Sequence, residues 1–201
     1  MLYDVIVNGP NMPPVSDKHL EERILKAAQR LWRTRGDSGL TLRAVAREAG
    51  TTTPTLYKRF RNKEALRFAL AYRVREELFA HLFSCASLEE IYREYLRFAE
   101  ENPHEYELLR VSWGRFFSPG NPRPGRVLVL MKMAERFGGQ PEDYARAFQA
   151  LFLACHGTAT LLTVMDEPEM RKVLREESIK ICDNILENVA HFREQSSPAR
   201  R

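Results

Sequence analysis

The sequence from Thr41 to Leu66, TLRAVAREAGTTTPTLYKRFRNKEAL, predicts two short helices joined by a glycine turn. Thr41 is a hydroxyl N-cap for the first helix, and Gly50 supplies the left-handed backbone that ends it. Thr52 caps the second helix, whose first turn tolerates Pro54 because no amide there needs an intrahelical partner. This arrangement predicts a helix-turn-helix, in which the second helix reads the major groove of DNA.

The two predicted helices each divide into an apolar inner face and a polar outer face. Spacings of three and four place on the inner faces Leu42, Val45, Ala46, Ala49, Leu56 and Phe60. The outer face of the second helix has nothing apolar to bury and consists of Thr53, Thr55, Tyr57, Lys58 and Arg59. A polar, basic helix face of this kind favours contact with nucleic acid.

In this region the chain resembles the TetR family of bacterial transcriptional regulators. The resemblance begins with RILKAAQRLWRTRG at Arg23, continues through Ala49-Gly50 and Thr55-Leu56-Tyr57, and ends with the run NKEAL at residues 62–66. It covers roughly the first third of the chain, and its spacing is kept without a gap across three helices. Two residues depart from the family pattern, which usually has an apolar residue at Thr51 and an aromatic residue or histidine at Arg59.

The resemblance also implies which side chains contact DNA. Tyr57 and Lys63 look like phosphate contacts, and Arg59 is the favoured base reader because a guanidinium pairs with guanine, with about 1–3 kcal/mol of discrimination. Thr52 as a cap alone and Thr55 as a packing residue alone remain open alternatives. The predicted DNA-binding residues are Thr41, Arg43, Thr52, Thr53, Thr55, Tyr57, Lys58, Arg59 and Lys63.

The distribution of charge favours the same interpretation. The 201-residue chain has a net charge of +4, with 44% hydrophobic and 29% charged residues, as expected for a soluble protein with a buried core. Residues 17–66 contain twelve Lys and Arg against six Asp and Glu, so the rest of the chain is slightly acidic. A basic segment is the electrostatic footprint of phosphate binding, although small helical domains are also basic by chance.

Periodicity along the chain predicts an all-α fold of about nine helices in two domains. Residues 17–66 form the helix-turn-helix DNA-binding domain, and residues 67–193 form a helical-bundle domain for effector binding and dimerisation. Residues 1–16, rich in glycine and proline, are expected to be a flexible arm, in which Met12 is an alternative start. Residues 194–201 are expected to be a disordered tail.

Members of the family have an effector cavity in the second domain, where a small molecule alters the separation of the two DNA-binding heads. Aromatic side chains with a polar group nearby are the candidates for such a pocket, although aromatic residues at helical spacing more often belong to an ordinary core. A mostly hydrophobic pocket suits an uncharged or aromatic ligand. The predicted pocket residues are Tyr95, Trp113, Phe116, Phe152, His156 and Thr160.

The last two predicted helices, 141–164 and 168–193, indicate a homodimer. Each has apolar surface on two sides, so each needs two partners: its own domain and the same helices of a second copy. The result is a two-fold four-helix interface, and the resemblance implies the same assembly. A fully buried helix in a monomer is the alternative. The predicted interface residues are Ala147, Ala154, Thr158, Cys182, Ile185, Val189 and Phe192.

Composition excludes several other classes of protein. Cys85, Cys155 and Cys182 are few, separated and odd in number, which favours buried apolar side chains in a reducing cytosol over a disulfide framework. No apolar run reaches the roughly 18 residues of a membrane helix, and the amino terminus lacks the pattern of a secretion signal. We therefore expect a cytoplasmic protein that has no membrane partner.

No metal, cofactor or catalytic site is predicted. The pairs His81 with Cys85 and Cys155 with His156 lack the third and fourth ligands of a closed metal site. Nucleophile elbows, phosphate-binding glycine loops and metalloprotease helices do not occur in the sequence.

The sequence therefore predicts a ligand-responsive homodimeric repressor that is not an enzyme. Its partners would be a pseudo-palindromic double-stranded DNA operator and a small, mostly apolar effector that releases it. Two alternatives remain open: a helical small-molecule-binding protein or enzyme that keeps the head as a scaffold, and an architectural DNA protein.

Overall fold

The computed structural model describes residues 18–192, and within that range the all-α prediction is confirmed. These residues form ten α-helices and a 3-10 turn at Pro141–Tyr144, and none of them lies in a strand. The helices are α1 (Lys18–Gly39), α2 (Leu42–Glu48), α3 (Thr53–Arg59), α4 (Lys63–Ser84), α5 (Leu88–Glu101), α6 (Pro103–Phe116), α7 (Pro124–Phe137), α8 (Ala145–Leu162), α9 (Pro168–Glu187) and α10 (Val189–Phe192). The predicted arm 1–16 and tail 194–201 lie outside the described residues.

The tenth helix arises from one interruption near the carboxyl end of the chain. A single helix was expected over 168–193, but Asn188 has φ −104° and ψ 25°, which takes the backbone out of helical geometry. The last turn, α10, therefore stands as a separate short helix.

The described residues divide by their contacts into two compact units. Unit 1 consists of residues 18–77 and 102–122, and unit 2 consists of residues 78–101 and 123–192. The first eleven residues after position 66 and the whole of α6 thus group with the helix-turn-helix by contacts. The predicted boundary between residues 66 and 67 concerns function, and it stays a prediction.

In unit 1, helix α1 packs against α2 and α6, and α2 packs against α3. Spacings of three and four in the sequence predict an inner face of α1 that contains Ile24, Ala27, Ala28 and Leu31, and the first three are fully buried. Leu31, expected on the same face, is only half-buried, and the neighbouring Trp32 is buried in its place. The indole of Trp32 also donates a hydrogen bond of 2.6 Å to the backbone carbonyl of His104, so it joins α1 to α6.

A buried polar cluster connects α1 to α4 and α6 within unit 1. The amide nitrogen of Gln29 donates to Glu77 Oε2 at 2.6 Å and to Glu105 Oε1 at 2.7 Å. Its amide oxygen accepts from Arg73 Nε at 2.9 Å. Arg33 Nε lies 2.8 Å from Glu105 Oε1, and this contact raises the pKa of Arg33. Three helices are therefore held in register by charge-assisted hydrogen bonds.

In unit 2, helices α8 and α9 pack against each other, and both contact α5. The phenol of Tyr92 donates to the carboxylate of Asp183, and burial together with this contact raises the pKa of Tyr92. One apolar cluster in the core of the unit contains Leu88, Tyr92, Leu130, Met133, Tyr144, Ala147, Leu151, Cys155, Cys182, Leu186 and Val189.

The substitution Glu105→Ala is expected to destabilise the protein. Glu105 is only 1% exposed, and its removal leaves Arg33 and Gln29 without their buried acceptor. The free energy of unfolding should fall by about 2–3 kcal/mol, as measured by urea titration.

Glu107→Ala, two residues away on α6, is the matched control. Glu107 pairs with Arg110 at 2.6 Å in a solvent-accessible position, and the change should cost less than about 0.5 kcal/mol. Equal losses of unfolding free energy in the two variants would show that the buried cluster stabilises the protein no more than an exposed ion pair does.

Candidate nucleic-acid interface

The turn between α2 and α3 has the geometry that the sequence predicts. Thr41 Oγ1 accepts a hydrogen bond of 3.1 Å from the amide of Ala44, so it caps α2. Gly50 has φ 62°, in the left-handed region that favours glycine. The amide of Thr51 then donates to the carbonyl of Ala46 at 2.9 Å and closes the turn. Local sequence alone is sufficient to specify this corner.

Helix α1 holds the turn from outside. Arg23 Nη2 donates to the backbone carbonyls of Ala49 at 3.2 Å and Gly50 at 3.4 Å, so one guanidinium occupies acceptors left free at the end of α2. Arg30, also on α1, has its Nε 2.9 Å from Glu48 Oε1 on α2. Sequence reasoning missed this role of Arg23; the signal was its place as the first residue of the family resemblance.

The start of α3 is organised by two threonines. The amide of Thr55 donates to Thr52 Oγ1 at 3.3 Å, and the two hydroxyl oxygens are 2.8 Å apart. Thr52 is therefore the N-cap of α3, as the sequence predicts. Its contact with DNA stays a prediction. Capping does not exclude that contact, since the oxygen that accepts from the amide also carries a hydroxyl hydrogen.

Helix α3 separates its residues cleanly by exposure. Leu56 is fully buried and Phe60 is 6% exposed, so these two residues attach the helix to unit 1. Tyr57 is 53% exposed. The other predicted DNA-binding residues of this region are exposed, namely Thr41, Arg43, Thr52 and Lys58, or half-buried, namely Thr53, Thr55 and Arg59.

Lys63, at the start of α4, already has a partner within the chain. Its Nζ lies 2.7 Å from Asp37 Oδ2 and donates to the Asp37 carbonyl at 2.8 Å. Asn62 caps the same helix, since its Oδ1 accepts from the amide of Ala65 at 2.8 Å. Asp37 is 26 residues before Lys63 in the sequence, and no local pattern links the two.

Four of the six predicted effector residues lie together in unit 2. Tyr95 Oη is 3.3 Å from His156 Nδ1. The ring of Phe152 stacks on the imidazole of His156 with a centroid separation of 5.4 Å, and Thr160 Oγ1 donates to the His156 carbonyl at 2.8 Å. These contacts form an aromatic cluster with a phenol and an imidazole as polar groups.

The other two predicted effector residues belong to unit 1. Trp113 stacks on Phe117 with ring centroids 4.8 Å apart, and Phe116 is buried with its ring 5.7 Å from that of Phe68. A pocket that contains all six residues stays a prediction.

Comparison with known proteins identifies the helix-turn-helix. Residues 24–70 match the family described as bacterial regulatory proteins, tetR family, and the match runs from α1 into α4. The helix-turn-helix of this chain is thus of the TetR type. The resemblance seen in the sequence is confirmed over these residues. No curated protein sequence matches the chain.

Solved TetR structures share this fold over most of the chain. A TetR variant from Acinetobacter baumannii AYE in complex with minocycline has a TM-score of 0.63 at 17% identity, over 87% of this chain and 98% of that one. A TetR from Streptomyces coelicolor scores 0.58 at 19% identity, over 89% and 96% of the two chains. A TetR transcriptional regulator from Rhodococcus sp. RHA1 scores 0.57 at 19% identity, over 86% and 99%.

The predicted dimer residues mostly face the core of unit 2. Ala147 and Cys182 are fully buried within unit 2, and Thr158 and Val189 are each 8% exposed. Ala154, Ile185 and Phe192 are half-buried and pack against the same core cluster. The homodimer and the residues that form its interface stay predictions.

Three further features of the described residues are a charged cleft, the placement of metal-binding side chains and the apolar character of the helices. A charged cleft of about 260 Å³ in unit 2 is lined by Glu100, Asp166, Pro168, Arg171, Lys172 and Arg175. Residues 18–192 contain no group of three or more His, Cys, Asp or Glu side chains placed to hold a metal ion. In the same range, no helix has the length and apolar character needed to span a membrane.

Thr52→Ala should destabilise the head of the protein through loss of the α3 cap. The substitution removes the oxygen that accepts from the amide of Thr55, and such a loss costs about 1 kcal/mol. Thr52→Ser keeps the oxygen and should remain within a few tenths of a kcal/mol of wild type. Urea unfolding curves of the two variants decide the matter; equal stability of both would mean that the hydroxyl does not cap.

Proposed function

We propose that this chain is a homodimeric repressor of the TetR family, which binds a pseudo-palindromic operator and is released by a small, mostly apolar effector. The observation that carries the proposal is the outer face of α3, which is polar, basic and accessible while Leu56 and Phe60 anchor the helix from behind. Such a helix fits the major groove of DNA. A regulator of this kind acts where its DNA lies, so we place it in the cytoplasm.

Arg59 is the proposed base reader, supported by Thr52, Thr53 and Thr55 at base edges or nearby phosphates. Tyr57 is the proposed phosphate contact on α3, because its phenol is on the exposed side of the helix. Thr41, Arg43 and Lys58 complete the predicted contact surface.

Lys63 can contact a phosphate without leaving Asp37. An ammonium has three donors, and the two contacts with Asp37 use only two of them. Asp37 thereby orients Lys63 at the start of α4, the helix that follows α3 in the chain.

The proposed dimer interface is the outer apolar face of α8 and α9. Three large apolar side chains on or directly after α8 are exposed, Leu153 at 60%, Leu161 at 49% and Val164 at 70%. Helix α9 exposes Met170, Val173 and Ile181, at 51%, 51% and 52%. Exposed apolar side chains in this number, on two helices that pack together, favour an interaction site.

Glycine on α8 favours a second copy as the partner. Gly157 lies between Leu153 and Leu161 at four-residue spacing, and a Cβ built there meets no atom within 4 Å. A partner helix can approach the backbone closely at such a position. Two copies of α8 and α9 then form the four-helix interface of a two-fold dimer.

The proposed effector site is the cluster of Tyr95, Phe152, His156 and Thr160. Its aromatic rings and two polar groups suit an uncharged or aromatic ligand. The Acinetobacter baumannii protein, which has the same fold, is in complex with the small molecule minocycline. This likeness supports the proposal that the present chain binds a ligand.

The proposed mechanism has two states. In one, the two heads fit successive major grooves about 34–36 Å apart, and the effector stabilises another spacing. Helix α4 is the proposed transmitter, since its 22 residues run without interruption from Lys63 to Ser84.

Selection from a randomised duplex pool tests the function. We expect a two-fold symmetric motif that the protein binds at least about 1000-fold more tightly than scrambled DNA at near-physiological salt. Absence of an enriched motif, with binding that disappears as salt rises, would identify the head as a scaffold or a non-specific anchor.

Tyr57→Phe tests the proposed phosphate contact on the selected duplex. Loss of one hydrogen bond of about 1 kcal/mol should weaken operator binding about fivefold. The far-ultraviolet circular dichroism spectrum should not change, because Tyr57 is an exposed side chain. Unchanged affinity would remove Tyr57 from the contact surface.

Leu161→Glu should convert the dimer to a monomer. A charge at this exposed apolar position costs the monomer little but must be desolvated in the proposed interface. Val111→Glu on α6 is the matched control, since Val111 is 50% exposed and lies in unit 1. Sedimentation velocity at micromolar concentration should show a monomer for the first variant and a dimer for the second; a dimer in both would disprove the proposed face.

A further inference from the structure

Two cysteines face each other inside unit 2. Cys155 on α8 and Cys182 on α9 have their sulfur atoms 3.7 Å apart. Cys182 is fully buried and Cys155 is 7% exposed, and both belong to the apolar core cluster. The two thiols thus lie across the contact between the two longest helices of the unit.

Hydroxyl groups also lie close to the pair. Thr158 Oγ1 donates to Ser178 Oγ at 2.9 Å, and Ser178 lies one turn before Cys182 on α9. The Cys155 and Cys182 thiols share a hydrogen bond across the contact between α8 and α9.

The same surroundings affect the two thiols differently. Hydrogen bonding with Cys155 lowers the pKa of Cys182, against the opposing effects of burial and the Asp183 carboxylate. Hydrogen bonding with Cys182, together with burial, raises the pKa of Cys155.

We propose that Cys155 and Cys182 are a reversible redox site, which a small hydroperoxide converts to an intrachain disulfide between α8 and α9. Cysteines that serve only as apolar side chains do not need sulfur atoms that face each other.

The chemistry balances with the hydroperoxide as the sole oxidant. The thiolate of one cysteine attacks the terminal peroxide oxygen, the O–O bond breaks, and the alkoxide or hydroxide released takes up a proton, leaving a sulfenic acid. The sulfur of the other cysteine then attacks the sulfenic sulfur, the S–O bond breaks, and water leaves with the proton of that second thiol. Two thiols are oxidised by two electrons, and one hydroperoxide is reduced to an alcohol, or to water, plus one further water.

The geometry suits a disulfide better than a metal ion. A disulfide requires the sulfurs to approach to about 2.05 Å, a short movement for two side chains already in contact. Among the described residues, no third His, Cys, Asp or Glu joins the pair to make a metal-binding group. Cys155 retains some exposure, so a molecule of the size of hydrogen peroxide reaches the pair from that side.

A disulfide here would tie together the two helices of the proposed dimer face. Helix α8 also carries Phe152, His156 and Thr160 of the proposed effector cluster. Oxidation is therefore inferred to act as a second input on operator binding; this regulatory consequence rests on the proposed function, whereas the thiol chemistry does not.

The first test counts free thiols in the full-length protein. Reduced protein is treated with hydrogen peroxide, denatured, and labelled with a maleimide polymer that shifts its mobility once per thiol. Wild type should fall from three labels to one and return to three after dithiothreitol. Tryptic mapping should find the Cys155 peptide joined to the Cys182 peptide.

Three variants sharpen this test. Cys85→Ser is the matched control, since Cys85 is a half-buried thiol outside the pair, and it should fall from two labels to none. Cys155→Ser and Cys182→Ser should each keep the remaining core thiol free of an intrachain disulfide. Three labels on wild type after peroxide, a disulfide through Cys85, or irreversible loss of label would overturn the proposal, and none of these readouts depends on the variants folding or on DNA.

The second test measures affinity for the selected operator duplex with oxidised and reduced protein. Wild type and Cys85→Ser should both show a several-fold difference that dithiothreitol reverses, and Cys155→Ser should show none. A ratio of one in wild type that has formed the disulfide would overturn the regulatory consequence. A protein without any operator would instead disprove the proposed function while the thiol count still decides the chemistry.

Discussion

Unit 1 depends on the hydrogen bonds made by the side-chain amide of Gln29. One side chain, 5% exposed, donates to Glu77 and Glu105 and accepts from Arg73, so every hydrogen-bonding direction of a buried amide is used except one lone pair. Because its partners lie on α4 and α6, the position of α1 follows from them. Helix α1 also holds the turn between α2 and α3, through Arg23. The orientation of α3 thus rests on a polar cluster rather than on apolar packing alone.

Features governed by neighbouring residues could be read from the sequence. The caps at Thr41, Thr52 and Asn62 are all present, because an N-cap requires only a hydroxyl or amide oxygen two or three residues before a free amide. The turn at Gly50 is likewise local. These short-range rules, with the family resemblance, were sufficient for the fold class and for the helix-turn-helix.

Features that depend on distant partners could not be read in the same way. Periodicity placed Leu31 inside and gave no reason to bury Trp32, because that choice is made by a carbonyl on α6. In the candidate interface, Lys63 looked like a free cation, and only the folded chain brings Asp37 to it. The assignment of the dimer residues depends on distant contacts in the same way. Helices α8 and α9 have apolar residues on both sides, and a hydrophobic pattern identifies two faces without saying which one meets the protein's own core.

Helix α8 shows why that distinction matters for function. Successive residues of a helix are about 100° apart, so Phe152 and His156, Leu153 and Leu161, and Cys155 and Thr158 occupy three different faces. The first face carries the aromatic cluster, the second is exposed and apolar, and the third contacts Cys182 and Ser178 of α9. A packed helix moves as a unit, since its interior neighbours leave little free space. A ligand, a second copy and an oxidant that each act on one face of α8 would therefore each be felt on the other two.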